Sequence, residues 1–401
     1  MVVKPRRLAG LRLIVIFGLA LFSVGGMPVA LAGVNAWTTS WPLASLAGTL
    51  APDPSGRSSV YAGAFGPILF DLKGNDWIDI ANGTGSAYPD LNAIAVDPQD
   101  SRTVYVAVSS FGLPPGTYVP QVRGGIYKST DGGETWRFID VHQTDPVISV
   151  VVDPLNEGTV YALATVCTCT ATPLYCSKFG ESCSASAYKS TDSGATWSRL
   201  GALAYVSALV IDPIVPSTLF VTADGGVFKS LDGGSTWTAR NSGFGSHCSA
   251  LKGLTISQTN SSVLFVATGE ACPVAAYKTT DGGSTWKPTA LATAEVGDST
   301  SIVVDPTNEK VVYLTGRAVT EKSGGLFRSV DGGESWSHFD EGLPGRNIAP
   351  ANIGPAVIER DGATIHVLVG ERIFDYSYVP PLRSPVRAVS GTPRVTSVSP
   401  R

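Results

Sequence analysis

A ten-residue pattern constrains this chain more than any other feature. YKSTDGGETW ends at Trp136, YKSTDSGATW at Trp197, FKSLDGGSTW at Trp237, YKTTDGGSTW at Trp286 and FRSVDGGESW at Trp336. A weaker copy, LFDLKGNDW, ends at Trp77; it keeps Gly74 but has Phe70 and Leu72 where the others have Ser or Thr and Asp. A second element precedes most copies: a β-branched run, Asp-Pro, then another run, as in AIAVDPQDSRTVYVAV, SVVVDPLNEGTVYALA, ALVIDPIVPSTLFVTA and SIVVDPTNEKVVYLTG. GLTISQTNSSVLFVAT and AVIERDGATIHVLVG repeat it without Asp-Pro. Copies that return every 40–60 residues or so mean one supersecondary unit used many times.

The chemistry of the unit is that of strands and turns. Runs of Val, Ile, Leu and Tyr bounded by turn residues are strand-forming. Asp-Pro starts a turn because Pro presets φ and Asp bonds nearby backbone N–H groups. We label the strands A and B around Asp-Pro, and C and D around Ser-x-Asp-x-Gly-x-Thr-Trp. In the second turn Ser and Asp cap backbone N–H groups, Gly supplies positive φ, and Trp opens strand D with a large apolar ring. Four antiparallel strands per unit at this repeat length predict the blades of an all-β propeller. Composition agrees: 44 Gly serve the turns, and only 15% of residues are charged, against about 25% in an average domain.

The Ser-x-Asp-x-Gly-x-Thr/Ser-Trp turn resembles the Asp-box, or BNR repeat. The resemblance covers roughly residues 34–378 and places the chain beside the superfamily of sialidases, xyloglucan-active hydrolases, sortilin-type receptor domains and photosystem II stability/assembly factors. In style it is nearest to the assembly-factor-like and uncharacterised secreted bacterial members. In those families the Asp-boxes are structural. The resemblance therefore implies scaffold roles for Asp131, Asp192, Asp232, Asp281 and Asp331, and for Trp136, Trp197, Trp237, Trp286 and Trp336.

Strand A recurs near 93–96, 149–152, 208–211, 253–256, 301–304 and 355–358, and a weaker first unit begins near Ala51, so seven four-stranded blades are expected. The last unit lacks a strand D. The segment 34–40 contains Trp37 and is expected to supply it, closing the ring and removing an exposed edge. The expected domains are a signal peptide at 1–32, a propeller at 33–378 and a basic Pro/Ser-rich tail at 379–401. The signal rests on Lys4, Arg6, Arg7 and Arg12, the apolar run that follows them, and Ala30-Leu31-Ala32 as the cleavage site. Gly25, Gly26 and Pro28 interrupt the run and argue against a retained membrane anchor. A secreted or periplasmic location is expected, with no transmembrane segment after cleavage. The net charge of −4 leaves no basic excess for nucleic acid. Subtracting the four signal cations and the four tail arginines from 29 basic residues leaves 21 against 33 acids, so the propeller carries −12.

Strand alternation puts the A–B and C–D turns on one face and the B–C and D–A loops on the other. The long insertions fall in the second set, at 109–125, 167–185, 81–92, 240–250 and 341–352. Loops that differ between repeats are where binding is expected. All six cysteines lie there, and in an exported chain an even number points to disulfides. Cys248 precedes strand A and Cys272 follows strand B of one blade, so antiparallel pairing brings them together. Cys167 and Cys183 are expected to pair likewise, with Cys169 and Cys176 nested between them; zinc would need a paired Cys-x-x-Cys spacing that is missing. Asp224, Glu270, Arg317, Glu371 and Arg372 follow successive B strands toward the channel mouth. With Arg346, Tyr88 and Tyr118 they form the candidate binding set, and Phe111, Tyr175 and Phe244 add aromatic surface.

Two functions fit. One is a non-catalytic propeller, monomeric, that binds a protein or glycan partner, with an assembly or scaffold factor as one version. The other is a glycoside hydrolase, sialidase-like or glucan-active, for which Glu270, Glu371 and Asp224 are candidate members of the carboxylate pair, about 5–10 Å apart, that such chemistry needs. No Arg-Ile-Pro occurs, which departs from the sialidase pattern, and the xyloglucan-active family typically pairs two propellers. The histidines form no nucleophile or metal motif. No cofactor or metal is expected.

Overall fold

Strand chemistry on both sides of each turn yields an almost purely β structure in the computed structural model. It describes residues 37–40, 47–54, 60–64, 68–73, 76–79, 90–109, 124–142, 146–167, 183–223, 225–245, 248, 251–269, 271–317, 323–341, 343, 353–358, 364–369 and 372–377. Strand β1 is Trp37–Ser40. The first continuous sheet contains β2 (Ala47–Pro52), β3 (Val60–Ala64), β4 (Ile68–Lys73) and β5 (Asp76–Asp79). The second contains β6 (Asp90–Val96), β7 (Val104–Ser109), β8 (Gly125–Ser129) and β9 (Arg137–Ile139). The third runs β10 (Val147–Val152), β11 (Val160–Cys167), β12 (Cys183–Ser190) and β13 (Ser198–Arg199). The fourth runs β14 (Ala208–Ile211), β15 (Leu219–Ala223), β16 (Gly226–Ser230) and β17 (Thr238–Ala239). The fifth has β18 (Leu251–Ile256), β19 (Leu264–Thr268), β20 (Ala276–Thr279) and β21 (Lys287–Pro288), and is followed by the short helix α1 (Thr293–Val296). The sixth has β22 (Asp298–Asp305), β23 (Asn308–Arg317), β24 (Gly325–Ser329) and β25 (Ser337–His338). The seventh has β26 (Ile353–Ile358), β27 (Thr364–Val369) and β28 (Arg372–Ser377), and its fourth strand is β1, with Trp37 opposite Tyr376 and Ser40 opposite Ile373.

The sheets meet through their first strands. β2 touches β6, β6 touches β10, and the sequence continues through β14, β18, β22 and β26 back to β2. The chain is thus an all-β propeller of four-stranded antiparallel sheets. Each core cluster spans two neighbouring sheets. Phe265, Ala267 and Ala276 of the fifth, for example, pack with Ile302, Val312 and Phe327 of the sixth. Second strands are covered on both sides and are buried throughout, as in β7, β15 and β19. Their near-continuous apolar sequence follows from that position. The fourth strands β13, β17, β21 and β25 are only two residues long and exposed. Six of the first strands carry a register shift near their start, as between Val147 and Ser149 or Leu251 and Leu254. Bulges of this kind re-aim side chains at a sheet end.

The Ser-x-Asp turns repeat one hydrogen-bond set. The Ser190 hydroxyl accepts the Gly194 N–H at 2.8 Å and donates to Asp192 Oδ1 at 2.7 Å. Asp192 then accepts the Thr196 N–H at 2.8 Å and the Thr196 hydroxyl at 2.6 Å. Ser129/Asp131, Ser230/Asp232, Thr279/Asp281 and Ser329/Asp331 make the same bonds. Residues that would otherwise compete with strand pairing are here used as caps. The second glycine must be bare: at Gly234, φ is +95° and a Cβ would stand 2.7 Å from Leu200 of the preceding sheet. A further bond joins each turn to the A–B turn of its own sheet, as from Gly233 N–H to Ser217 C=O and from Gly282 N–H to Ser262 C=O, both near 3 Å. Both turn types therefore occupy one face.

The tryptophans seal neighbouring sheets together. Trp136, Trp197, Trp237, Trp286 and Trp336 each pack against a cluster shared with the preceding sheet. Trp286 is fully buried, and its indole N–H donates to Arg240 C=O of the fourth sheet at 2.8 Å. A second staple runs through the basic residue of the pattern. Lys229 Nζ lies 4.9 Å over the Phe220 ring and donates to Gly282 C=O of the next sheet. Lys128 does the same between Tyr105 and Ser193 C=O. Lys189, Lys278 and Arg328 lie over Tyr161, Phe265 and Tyr313. Burial lowers the pKa of Lys128 and Lys229. Each cation–ring contact contributes about 0.5–2 kcal/mol.

Candidate functional site

The loop-bearing face is built where second strands end and first strands begin. In the sixth sheet antiparallel register sets Asp298, first residue of β22, opposite Arg317, last residue of β23. Their side chains meet at 3.4 Å, and Lys252 of β18, one sheet away, approaches the same carboxylate at 3.5 Å. Asp298 is mostly covered while both cations stand half-exposed. The cluster has one anion and two cations, so it presents a positive excess outward. Gly297, with φ of +75°, ends α1 and turns the chain into Asp298.

Beside this cluster, Cys248 and Cys272 are joined by a disulfide across the entry and exit of β18 and β19. The chain after Cys272 is anchored rather than free. Thr293 of α1 donates its hydroxyl to Cys272 C=O at 2.6 Å, and Ala275 N–H reaches Leu291 C=O at 2.8 Å. From α1 the Glu295 C=O accepts the Gly324 N–H, tying the fifth sheet's loop to the sixth. A Cβ on Gly316, next to Arg317, would stand 2.3 Å from Val296. Disulfide, helix and charge cluster thus form one braced surface.

Of the candidate binding set, Arg317 lies in this cluster. Arg372 opens β28 opposite Val369; its side chain lies outside the described residues. Asp224, Glu270, Glu371, Arg346, Tyr88 and Tyr118 lie outside the described residues, as do Phe111 and Tyr175. Phe244 is packed into the scaffold, stacked on Trp286 at 5.2 Å and edge-on to Tyr277 at 5.0 Å. Cys167 and Cys183 stand directly opposite in the β11–β12 ladder, and Cys169 and Cys176 lie outside the described residues. Among the described residues there is no metal-ligating group of His, Cys, Asp and Glu, and no helix long and apolar enough to cross a membrane.

Lys252 and Asp298 escaped the reading of the sequence. The ends of second strands point to Arg317, and antiparallel pairing sets Asp298 opposite it. The residue that opens the first strand is the signal that finds Asp298. The Asp-box carboxylates are hydrogen-bonded within their own turns. In Asp192, Asp232, Asp281 and Asp331 the hydroxyl of the following Thr or Ser donates to the carboxylate and pulls its pKa down to about 2, helped by backbone N–H bonds and the preceding Ser or Thr.

Fold and turns together define the class: a propeller whose sheets are knotted by Asp-box turns. The sortilin-Vps10 family (sortilin, neurotensin receptor 3) matches residues 185–297. A xyloglucanase of Hypocrea jecorina is 28% identical over 237 residues, 54% of this chain and 23% of that enzyme. The structure of the GH74 xyloglucanase from Xanthomonas campestris superposes with a TM-score of 0.60 at 16% identity, covering 84% of this chain and 52% of that one. The structure of YCF48 bound to D1 peptide gives a TM-score of 0.60 at 15% identity, covering 87% of this chain and 99% of that one. The chain spans about a quarter of the curated relative and about half of the xyloglucanase structure, but nearly all of YCF48. The chain is a β-propeller with turns of the Asp-box, or BNR-repeat, type.

Proposed function

We propose that the chain is an exported, non-catalytic propeller that binds a protein segment on its loop-bearing face. The observation that carries this reading is the Lys252–Asp298–Arg317 cluster. Its carboxylate is engaged by two cations rather than paired with a second carboxylate, and its outward positive excess suits an acidic side chain or a chain-terminal carboxylate. The likeness to YCF48 supports it, since that protein was solved with a peptide bound and the match extends over its whole chain. The proposed export is supported by the basic and apolar leader at 1–32. The test is capture from the envelope fraction by the immobilised chain, beside a Lys252→Glu/Arg317→Glu variant. A partner retained by the parent and lost by the variant is expected; equal retention by both overturns the reading.

The xyloglucanase similarity favours a second reading, a glucan-active hydrolase using Glu270, Glu371 or Asp224. Xyloglucan and a panel of fluorogenic glycosides separate the two. Turnover abolished by Glu270→Gln or Glu371→Gln overturns the non-catalytic reading.

A further inference from the structure

The opposite face carries an apolar patch that its turns do not need. Among the described residues the large apolar side chains that stand exposed are Leu155, Ile214, Val215, Leu231, Val330 and Tyr205. All but Tyr205 sit on the Asp-box face, and four of them on the adjacent third and fourth sheets. The repeats supply an internal control. Ile214 and Val215 occupy positions held by Gln99 and Asp100 in the second sheet, Thr259 and Asn260 in the fifth, and Thr307 and Asn308 in the sixth. The turn is nonetheless the same: Gln99, Leu155, Ile214 and Thr307 all donate their backbone N–H to the preceding Asp at 2.8–2.9 Å. Leu231 stands where Thr130, Thr191 and Thr280 stand elsewhere. Polar residues build this turn equally well, so its geometry does not call for the apolar side chains. Patches of this kind mark interaction surfaces.

Exposed acids stand among these turns, and the lysines beside them, Lys128 and Lys189, are only partly exposed and lie over the Tyr105 and Tyr161 rings. Glu157, Asp192 and Asp232 are exposed on the same two sheets, and the Asp-box carboxylates stay ionised far below neutral pH. A fitting occupant is a cationic segment with apolar side chains. The sequence after β28 is such a segment, with Arg383, Arg387, Arg394 and Arg401 among Leu382, Val386, Val389, Val395 and Val398 and no acid. It also leaves the propeller on the correct face. Ser377 pairs with Thr364 as Ser230 pairs with Leu219 and Ser190 with Val160, so the chain exits where an Asp-box turn would begin. From there the fourth sheet is three sheet-to-sheet steps away, each about 10 Å. An extended run of this length reaches about 80 Å.

We propose that residues 379–401 dock along the Asp-box face of their own propeller, seating apolar side chains on Leu155, Ile214, Val215 and Leu231 and arginines against the neighbouring carboxylates. The test is limited trypsin digestion of the full chain, following cleavage after Arg383, Arg387 and Arg394. It is compared with an Ile214→Gln/Val215→Asn/Leu231→Thr variant whose new residues are those of the sister turns. Cleavage in the variant is expected to be about 10-fold faster at unchanged melting temperature, because proteolysis tracks the undocked population. A second arm leaves the propeller untouched: Arg394→Gln/Arg401→Gln is expected to speed cleavage at Arg383 and Arg387. Equal rates in parent and both variants overturn the proposal. Protection that grows with protein concentration also overturns it, in favour of a tail donated by a second copy.

Discussion

On the Asp-box face, Ser129, Ser190, Ser230, Thr279 and Ser329 repeat one hydrogen-bond set almost atom for atom. On the loop-bearing face hardly any two connections are alike. The link from β15 to β16 is two residues long, that from β19 to β20 holds a half-cystine, and that from β11 to β12 runs from Cys167 to Cys183. The difference separates what the ring needs from what it can vary. A turn that spends its hydrogen bonds on its own backbone keeps only its charge for a ligand. A loop held only at its ends, or braced by Cys248–Cys272, can be exchanged without disturbing the sheets. Changes to the Asp-box hydrogen bonds should therefore act on stability, and changes on the loop-bearing face on binding.

The comparison is tested hardest by acid, because one proton is added at each Asp-box turn. The carboxylates of Asp192, Asp232, Asp281 and Asp331 have folded pKa values of about 2, below the ordinary 3.8, through hydroxyl and N–H donors. A depressed folded pKa contributes stability that is fully present above the unfolded value and is lost as pH falls toward the folded one. The melting temperature is expected to hold from pH 7 to about pH 4.5 and to fall steadily between about pH 4 and pH 2. Calorimetry across that range checks it. A melting temperature unchanged at pH 2 breaks the claim that these turns hold the ring.

Next in size is the contrast between two tryptophans of the same pattern. Trp286 is buried, stacked on Phe244 and hydrogen-bonded to Arg240 C=O. Trp237 is half-buried, and its indole N–H has no partner among the described residues. Trp286→Ala is expected to cost about 3–5 kcal/mol, and Trp237→Ala about half as much. Urea unfolding of the two variants measures it. Equal losses would mean that ring area alone sets the cost of each seal.

The turns were legible because their bonds are local: Ser190, Asp192, Gly194 and Thr196 contact one another, so their spacing encodes the geometry. The first and second strands were legible from β-branched runs around Asp-Pro. Less could be read wherever partners are far apart in sequence. Lys229 reads as an outward charge in an alternating strand, yet it reaches Gly282, 53 residues on. The two-residue length of β13 or β17 follows from their outer position, which no local pattern records. Arg317 could be picked out from the end of its strand, but Lys252 joins it from another sheet through Asp298, and only the folded ring brings the three together.

That cluster gives the smallest expected effect on stability and so the sharpest form of the comparison. Lys252 and Arg317 keep roughly half of their side-chain surface in solvent. Exposed ion pairs contribute about 0–1 kcal/mol, because water screens the attraction and two long side chains lose freedom in making it. Asp298 also keeps its place in the β22–β23 register without them, since that register is set by backbone bonds from Ser299 to Val304. Lys252→Ala/Arg317→Ala is therefore expected to change unfolding free energy by no more than about 1 kcal/mol. On the reading proposed for this face, the same variant should lose most of its partner binding. A large destabilisation would place these residues with the scaffold, and the division of labour between the two faces would then fail at the point where it is most exposed to test.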